Sequence, residues 1–466
     1  MDEPNRLKII AAPQRFQAAG SLLLRLVLMV ALAGCLSPES QFAPMPSSSA
    51  FQEIVEALAQ TRGLPVAKAI RLNQQDANGS ANIESDFPGP APIPDLERAY
   101  KNVGLLPNDA QLGQAQIEYR RLSRLIDYDG ATGVVSLAPG AARLGAPLER
   151  TNPRAARELP VVMGIALALQ EQHFNWRERF RSTASEDRRA ALCALAGGDV
   201  VLAATFQLLG ETISPVANLA ASSQIAAEVD KLAAALPDYL RRQLTLPYRA
   251  GSQFVYWAYK ARGWPGVNGL YANSPLSTAE ILHPEKYFIQ RAAPLHFFPA
   301  ALLRRYKESS ILEQSLGEDA IAGMLASALQ EKSAGATASG WRGDRLFGFR
   351  EGANLTTAWF SSWATEKQAQ EFLLAYRSVL EARHGVRFNF APAPKSAPGI
   401  ASARDQRGWL LQSNGSVVLL ISVTPASRLV DLANDAWIDL EIDEDTTGLP
   451  FDWGKRSGHP LSLASR

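Results

Sequence analysis

The sequence predicts an α+β fold: a mostly helical core with small β-sheets, ending in an α+β C-terminal part. Three observations lead there. Apolar residues recur at helical spacing through much of 51–333, in runs too long for strands. A hairpin pattern interrupts them at DYDGATGVVSLAP, 127–139, where Asp129-Gly130 supplies turn chemistry ahead of an apolar run. After residue 340 the character changes, and strand-like WRGDRLFGFR and LTTAWFSSWA precede one helix and a second hairpin. With 466 residues, 47% of them hydrophobic and 20% charged, the chain can bury a sizeable core in two or three packed units. Lys plus Arg number 47 against 46 for Asp plus Glu, without a dense basic stripe, which excludes a nucleic-acid surface.

The N-terminus reads as a targeting segment. Arg6, Lys8 and Arg15 form a basic region ahead of SLLLRLVLMVALAGC, 21–35, which is apolar apart from Arg25. That stretch is shorter than the roughly 20 residues of a membrane span and fits a signal h-region. Its end, Leu32-Ala33-Gly34-Cys35, resembles a bacterial lipobox. The resemblance implies removal of 1–34 and acylation of Cys35, with membrane lipid as the partner of that residue. An ordinary secretory signal that happens to contain a cysteine is the alternative. Leu36 in place of Asp after the acylated position implies outer-membrane sorting, facing the periplasm. Pro- and Ser-rich residues then make 35–50 a flexible tether behind the lipidated Cys. The chain has two cysteines, so acylation of Cys35 leaves Cys193 without an intrachain partner. Small apolar neighbours in AALCALAG make Cys193 a buried, inert thiol.

The remaining elements follow in order. FQEIVEALAQTRGL, 51–64, has helical spacing, and QQDANGS and FPGPAPIP within 74–98 are loop chemistry. LGQAQIEYRRLSRLI, 112–126, is amphipathic enough for a helix. Residues 159–174 and about 186–210 make two apolar helices joined by polar FRSTASEDRR. SSQIAAEVDKLAAALPDYLRRQL is a helix pair split at Pro237. Residues 311–333 continue the helical pattern until SAGATASG, 333–340, breaks it. TEKQAQEFLLAYRSVLEARHG is a helix, and GWLLQSNGSVVLLISV a hairpin through Asn414-Gly415. The domains expected behind the tether are an N-terminal α/β part with an edge hairpin, 51–140, a helical core, 141–333, and the C-terminal part, 334–466. No internal repeat occurs.

Four segments share a resemblance. ALQEQHFNW resembles HALQDQHF, which closes the zinc-binding helix in a group of bacterial and archaeal zincin-like metallopeptidases. LPYRAGSQFVYWAYKARGWPGVNGLYANSPLSTAEILHPEKY, 246–287, resembles that group's downstream block. SGWRGDRLFGF, 339–349, and WATEKQAQEFLLAY, 363–376, resemble its C-terminal strands and following helix. The matches run in consistent order over roughly 110–440. The chain is thereby identified as a degenerate member of this HExxH-related family, which implies a zincin-like core over 141–333.

In such an enzyme two His at i and i+4 bind Zn²⁺, the Glu between them polarises the metal-bound water, and a Glu from a second helix completes the site. Carried onto this chain, the first His falls at Met163, the Glu at Gly164 and the second His at Leu167. The third ligand, within an Ala-Leu-x-Glu-Gly-Asp stretch in the family, falls at Gly197 of ALAGGD. None can ligate zinc, so neither a catalytic residue nor a metal or other cofactor is expected. Unpaired His and Glu in a metal-free cleft would each lose about 1–3 kcal/mol to desolvation, whereas Met163 and Leu167 can close the helix face as core.

No other constellation replaces the site. The histidines are His173, His283, His296, His384 and His459, and no HExxH, HxxxH or CxxC occurs. His173 and His283 read as structural, as do Gln170, Gln172, Trp341 and Asp344 of the family-like stretches. DLEIDEDTTG, 439–448, lacks the Gly and closing Glu of an EF-hand loop and reads as a solvated strand end. The RGDR of 342–345 falls within a strand pattern.

The sequence therefore reads as a lipid-anchored envelope protein on a zincin-like scaffold without catalytic zinc, with a peptide- or protein-binding or accessory role. The edge expected to hold an extended peptide or an envelope protein by strand addition is Val134, Val135, Ser136 and Leu137. Two alternatives stand beside it: a hydrolase using an unrecognised site in the same cleft, and a purely structural envelope lipoprotein.

Overall fold

Five helices begin where a side-chain oxygen accepts an otherwise orphaned backbone N–H. Ser47, Asn152, Ser185, Ser214 and Thr365 fill this role, as Ser, Asn and Thr do best. Gly63 and Gly385 close the first and the fifth of these helices in the left-handed conformation, with φ of 68° and 64°. A computed structural model describes residues 46–74, 91–210, 214–390 and 398–444. The signal segment 1–34, Cys35, most of the tether and His459 lie outside the described residues.

In chain order the first part comprises α1 (Ser48–Arg62), β1 (Arg71–Gln74), α2 (Ile93–Asn102), α3 (Leu112–Ser123), β2 (Ile126–Asp129) and β3 (Val134–Leu137). A helical run follows: α4 (Pro153–Phe174), α5 (Trp176–Ser182), α6 (Glu186–Leu209), α7 (Pro215–Leu232), α8 (Asp238–Leu246) and α9 (Ser252–Ala272). A π-helical turn, Pro247–Gly251, joins α8 to α9. Then come α10 (Thr278–Leu282), α11 (Pro284–Phe288), β4 (Leu295–Pro299), α12 (Ala300–Arg305), β5 (Ser310–Gln314), α13 (Gly317–Ala326) and α14 (Glu331–Ala338). The C-terminal part holds β6 (Trp341–Glu351), β7 (Asn354–Trp363), α15 (Glu366–His384), β8 (Asn389–Phe390), β9 (Gly399–Ser402), β10 (Gly408–Asn414) and β11 (Val417–Val423). Two further elements, α16 (Leu429–Trp437) and β12 (Leu440–Glu444), close the described chain.

The architecture is α+β, with three sheets among the described residues. The largest has seven strands in the order β5-β6-β7-β11-β10-β9-β8, every neighbouring pair antiparallel. Its central strands β7 and β11 are buried along almost their whole length because both faces are covered. Trp359 and Trp363 pack on Phe372 and Tyr376 of α15 on one side. Phe297, Phe347, Phe349 and Phe360 form a second core beneath α16 on the other. The β10–β11 hairpin turns as its sequence indicates, Asn414 pairing with Val417 around Gly415 at φ 56°.

The smallest sheets depart further from expectation. β4 pairs only with β12, and β1-β3-β2 form a sheet in which β3 runs parallel to β1 and antiparallel to β2. Val134, Val135, Ser136 and Leu137 are therefore a central strand, not an edge. Leu72 and Tyr128 flank Val135 from either side, so the strand's backbone groups are already paired and cannot accept an added peptide strand.

Other boundaries shift as well. Residues 310–314 form β5 rather than helix, and SAGATASG falls largely within α14. Ser48 already begins α1 inside the expected tether. The described residues from Pro46 onward form one compact unit, and β5 pairs with β6 across the division expected at 333/334.

Candidate functional site

The positions aligned with a zinc site are inside the fold. Met163 and Gly164 of α4 are buried, and Leu167 of α4 and Gly197 of α6 are half-buried. The β1-β3-β2 sheet lies directly on α4: a Cβ on Gly164 would stand 2.4 Å from Val135 Cγ1 and 3.3 Å from Ile126 Cγ2. A Cβ on Gly197 would stand 2.5 Å from Pro247 Cβ, and one on Gly198 only 2.3 Å from the Gly251 carbonyl carbon. These glycines let the Pro247–Gly251 turn settle onto α6 at near-backbone contact. Neither place has room for a carboxylate, and Val135 fills the volume above Gly164. Among the described residues, no group of three or more His, Cys, Asp and Glu is placed to hold a metal ion.

The polar residues of the same motif act as fasteners. Gln172 Oε1 accepts from the Ala67 and Lys68 amides, both at 3.0 Å, while its Nε2 donates to Lys68 O and Tyr128 Oη. His173 Nε2 lies 2.7 Å from Pro65 O, so the tail of α4 pins the α1–β1 connection. Gln170, buried, donates to Ala196 O at 3.1 Å and ties α4 to α6 beside Gly197. His283 Nε2 lies 2.5 Å from Glu318 Oε1, with Lys286 on the other oxygen at 3.1 Å. Asp344 accepts from Trp341, Trp359, Ser315 and the Leu316 and Gly317 amides, which locks β6 and β7 to the start of α13. Five donors on one buried carboxylate make a structural hub.

Asp199, two residues beyond Gly197, is fully buried. Arg62 grips it bidentately at 2.8 and 2.9 Å, Tyr271 Oη donates to it at 2.9 Å, and Arg62 also lies 4.4 Å from the Trp264 ring centre. Asp199 is thus a buried joint between α1, α6 and α9.

The open concavity lies elsewhere. A cleft of about 820 Å³ is bounded by α2, α3, α5, α8 and the first two turns of α6, and none of Met163, Gly164, Leu167 and Gly197 lines it. Its size falls in the range of about 300–1,000 Å³ usual for organic ligands. Ile93, Leu96, Ile117, Trp176, Phe180 and Leu240 supply apolar surface, with Ile93 38% and Ile117 57% exposed. Residues 186, 189/190 and 193 share one helical face, which brings Glu186, Arg189, Ala190 and Cys193 into it together.

The electrostatics of the cleft are set by burial and by arginine. Arg177 donates to Asp127 Oδ1 at 2.7 Å and to Tyr128 O at 2.9 Å. Tyr100 Oη donates to Glu186 Oε2 at 3.3 Å, and Arg189 stands 3.9 Å from Glu186 Oε1. Burial pushes the Glu186 carboxyl above its ordinary range, against the opposing pull of Arg189 and Tyr100. Burial likewise raises the Tyr119 and Tyr239 hydroxyls. Cys193 is only half-buried and lines the cleft rather than the core, yet desolvation pushes its thiol up to about 12. A thiol held protonated is a poor nucleophile, because the thiolate is the attacking form.

The cleft escapes the sequence-level reading. Phe180 and Arg181 fall in FRSTASEDRR, read as a polar connection, while their i,i+4 partners Trp176 and Arg177 precede it, and Arg120/Arg124 in RRLSR have the same spacing. Those paired spacings were the available signal. The class that fold and site define is an α+β protein with an arginine-lined cleft. Residues 304–431 match a family described as a domain of unknown function (DUF8575); the match covers all seven strands of the large sheet with α13, α14 and α15, but neither α4, α6 nor the cleft. No curated protein and no solved structure matches the chain.

Proposed function

We propose that the protein is a non-catalytic binding protein of the bacterial envelope, on a zincin-like scaffold that has lost its metal site and lipid-anchored through Cys35. Its ligand is a peptide or protein segment, held in the α2–α3–α5–α6–α8 cleft. The observation that carries this reading is the contrast within one molecule: the aligned metal positions are packed shut, while a large cleft with apolar walls stays open beside them. Strand addition at 134–137 is replaced by cleft binding, since β3 is paired on both sides.

A peptidase assay on the full chain, with and without chelator, tests the loss of catalysis, and chelator-sensitive cleavage is the result against it. The anchor is tested by Cys35→Ser, which should abolish acyl labelling and release the protein; unchanged membrane attachment counts against acylation.

One observation favours a hydrolase in the same cleft: the Glu186 carboxyl, raised by burial beside Tyr100, has the environment of a general acid. That reading requires a chelator-insensitive hydrolysis that Glu186→Gln removes.

A further inference from the structure

Within the cleft the charged side chains are engaged with one another or with the fold, whereas two hydroxyls are not. We propose that the part of the occupant buried there is uncharged: an apolar peptide segment whose backbone amides meet the hydroxyls of Tyr119 and Tyr239. The step rests on the peptide-binding reading. Asp127 accepts from Arg177 at 2.7 Å, Glu186 stands between Tyr100 at 3.3 Å and Arg189 at 3.9 Å, and Arg181 reaches Glu178 at 3.6 Å. Arg120 donates to Gln116 O at 3.2 Å, and Arg124 is engaged as well. A charged side chain entering this lining must break such a pair or leave water without a counter-charge, and both are costly.

Two neutral groups stand apart. Tyr119 and Tyr239 line the cleft, and neither hydroxyl has a hydrogen-bond partner among the described residues. Tyr239 is only 3% exposed and packs T-shaped on Tyr100, with ring centres 5.6 Å apart. Tyrosines that serve the fold use their hydroxyls inside it. Tyr100 donates to Glu186 and accepts from Gln314, Tyr271 donates to Asp199 at 2.9 Å, and Tyr376 donates to Val103 O at 2.8 Å. Burial keeps the Tyr119 and Tyr239 hydroxyls protonated, so each can donate one hydrogen bond and accept another. An amide leaving water requires both: a donor for its C=O and an acceptor for its N–H. The segment's side chains then meet the apolar wall of Ile93, Leu96, Ile117, Trp176 and Leu240. A plain acyl chain would use that wall but leave both hydroxyls without partners.

The test is selection of a random peptide display library on the full chain held in lipid nanodiscs, after removal of particles that bind empty nanodiscs. Survivors are re-measured at low and high salt, on Ile117→Asp, and on a double variant, Tyr119→Phe with Tyr239→Phe. Ile117 is 57% exposed, so its replacement changes the cleft without entering the core. The double variant removes two oxygens that make no hydrogen bond within the described fold. The proposal expects apolar, neutral survivors whose affinity changes by less than about twofold as salt is raised. They should lose about tenfold in affinity on the double variant and fail to bind Ile117→Asp. Survivors that need Ile117 but are rich in acidic or basic residues and weaken with salt overturn the uncharged-segment inference and leave the cleft reading standing. Ile117-dependent survivors that ignore the double variant do the same. Survivors indifferent to Ile117→Asp overturn the cleft reading itself. A library that yields no binder overturns the peptide as occupant, and Ile117-dependent binding of dansyl-undecanoate would then assign the cleft to an acyl chain.

Discussion

A methyl group at residue 164 has nowhere to go, and that residue decides what α4 can do. Its Cβ would stand 2.4 Å from Val135 Cγ1, well inside van der Waals contact. Gly164→Ala is expected to cost about 1–3 kcal/mol, as overpacking does, and Val135→Ala in the same chain should recover part of it; denaturant midpoints check both. Cys193, with its thiol pushed up to about 12, should react with iodoacetamide at pH 8 only after unfolding. Mass spectrometry of the alkylated native chain reads this out. His384 gives a pH signature. Desolvation, with Arg407 and Arg383 nearby, lowers its pKa from the usual 6.5 to about 4, while its ring stacks on Trp409 at 4.3 Å. The unfolded chain then binds the extra proton between these values, so this contribution to stability is full above pH 6.5 and is lost as pH falls towards 4. His384→Phe should flatten that part of the stability-versus-pH curve; an unchanged slope would assign it to other groups. Glycine at 164 and 197 is plain in the sequence, but nothing in a one-dimensional pattern shows that Val135 and Pro247 pack against them.

At the scale of elements, helices and hairpins defined by local chemistry read well. Capped α1 and α15, amphipathic α3, the break at Pro237 and the Gly415 hairpin depend on residues close in sequence. The failures are non-local. β3 carries a fair strand pattern, yet its status as a central strand depends on β1, a four-residue polar strand more than fifty positions away. β5 reads as helix because Ile311 and Leu312 sit ahead of apolar α13, and only pairing with β6 makes it a strand. Small residues in SAGATASG mimic a linker but pack as α14, with Ala334 and Ala338 buried. The Arg62–Asp199 joint binds such elements together. Arg62→Ala or Asp199→Ala is expected to destabilise the fold by about 3–5 kcal/mol, because each strands a buried charge. Removing both should cost less than the sum, and a double-mutant cycle measures the difference.

For the whole molecule, the α+β class was anticipated, and the cleft was not. Its lining spans residues 91 to 243, most of it from five helices, and converges only once α3, α5, α6 and α8 are packed. The chain that emerges divides its surface clearly: glycines draw β3 and the Pro247–Gly251 turn onto α4 and α6, and the open space moves to the arginine-lined side. Zinc stoichiometry tests this account most directly, measured by elemental analysis of the full chain after equilibration with zinc and desalting. The expected result is zinc well below one ion per chain, unchanged by chelator. One tightly held zinc per chain, removed by chelator together with a peptide-cleaving activity, would contradict it.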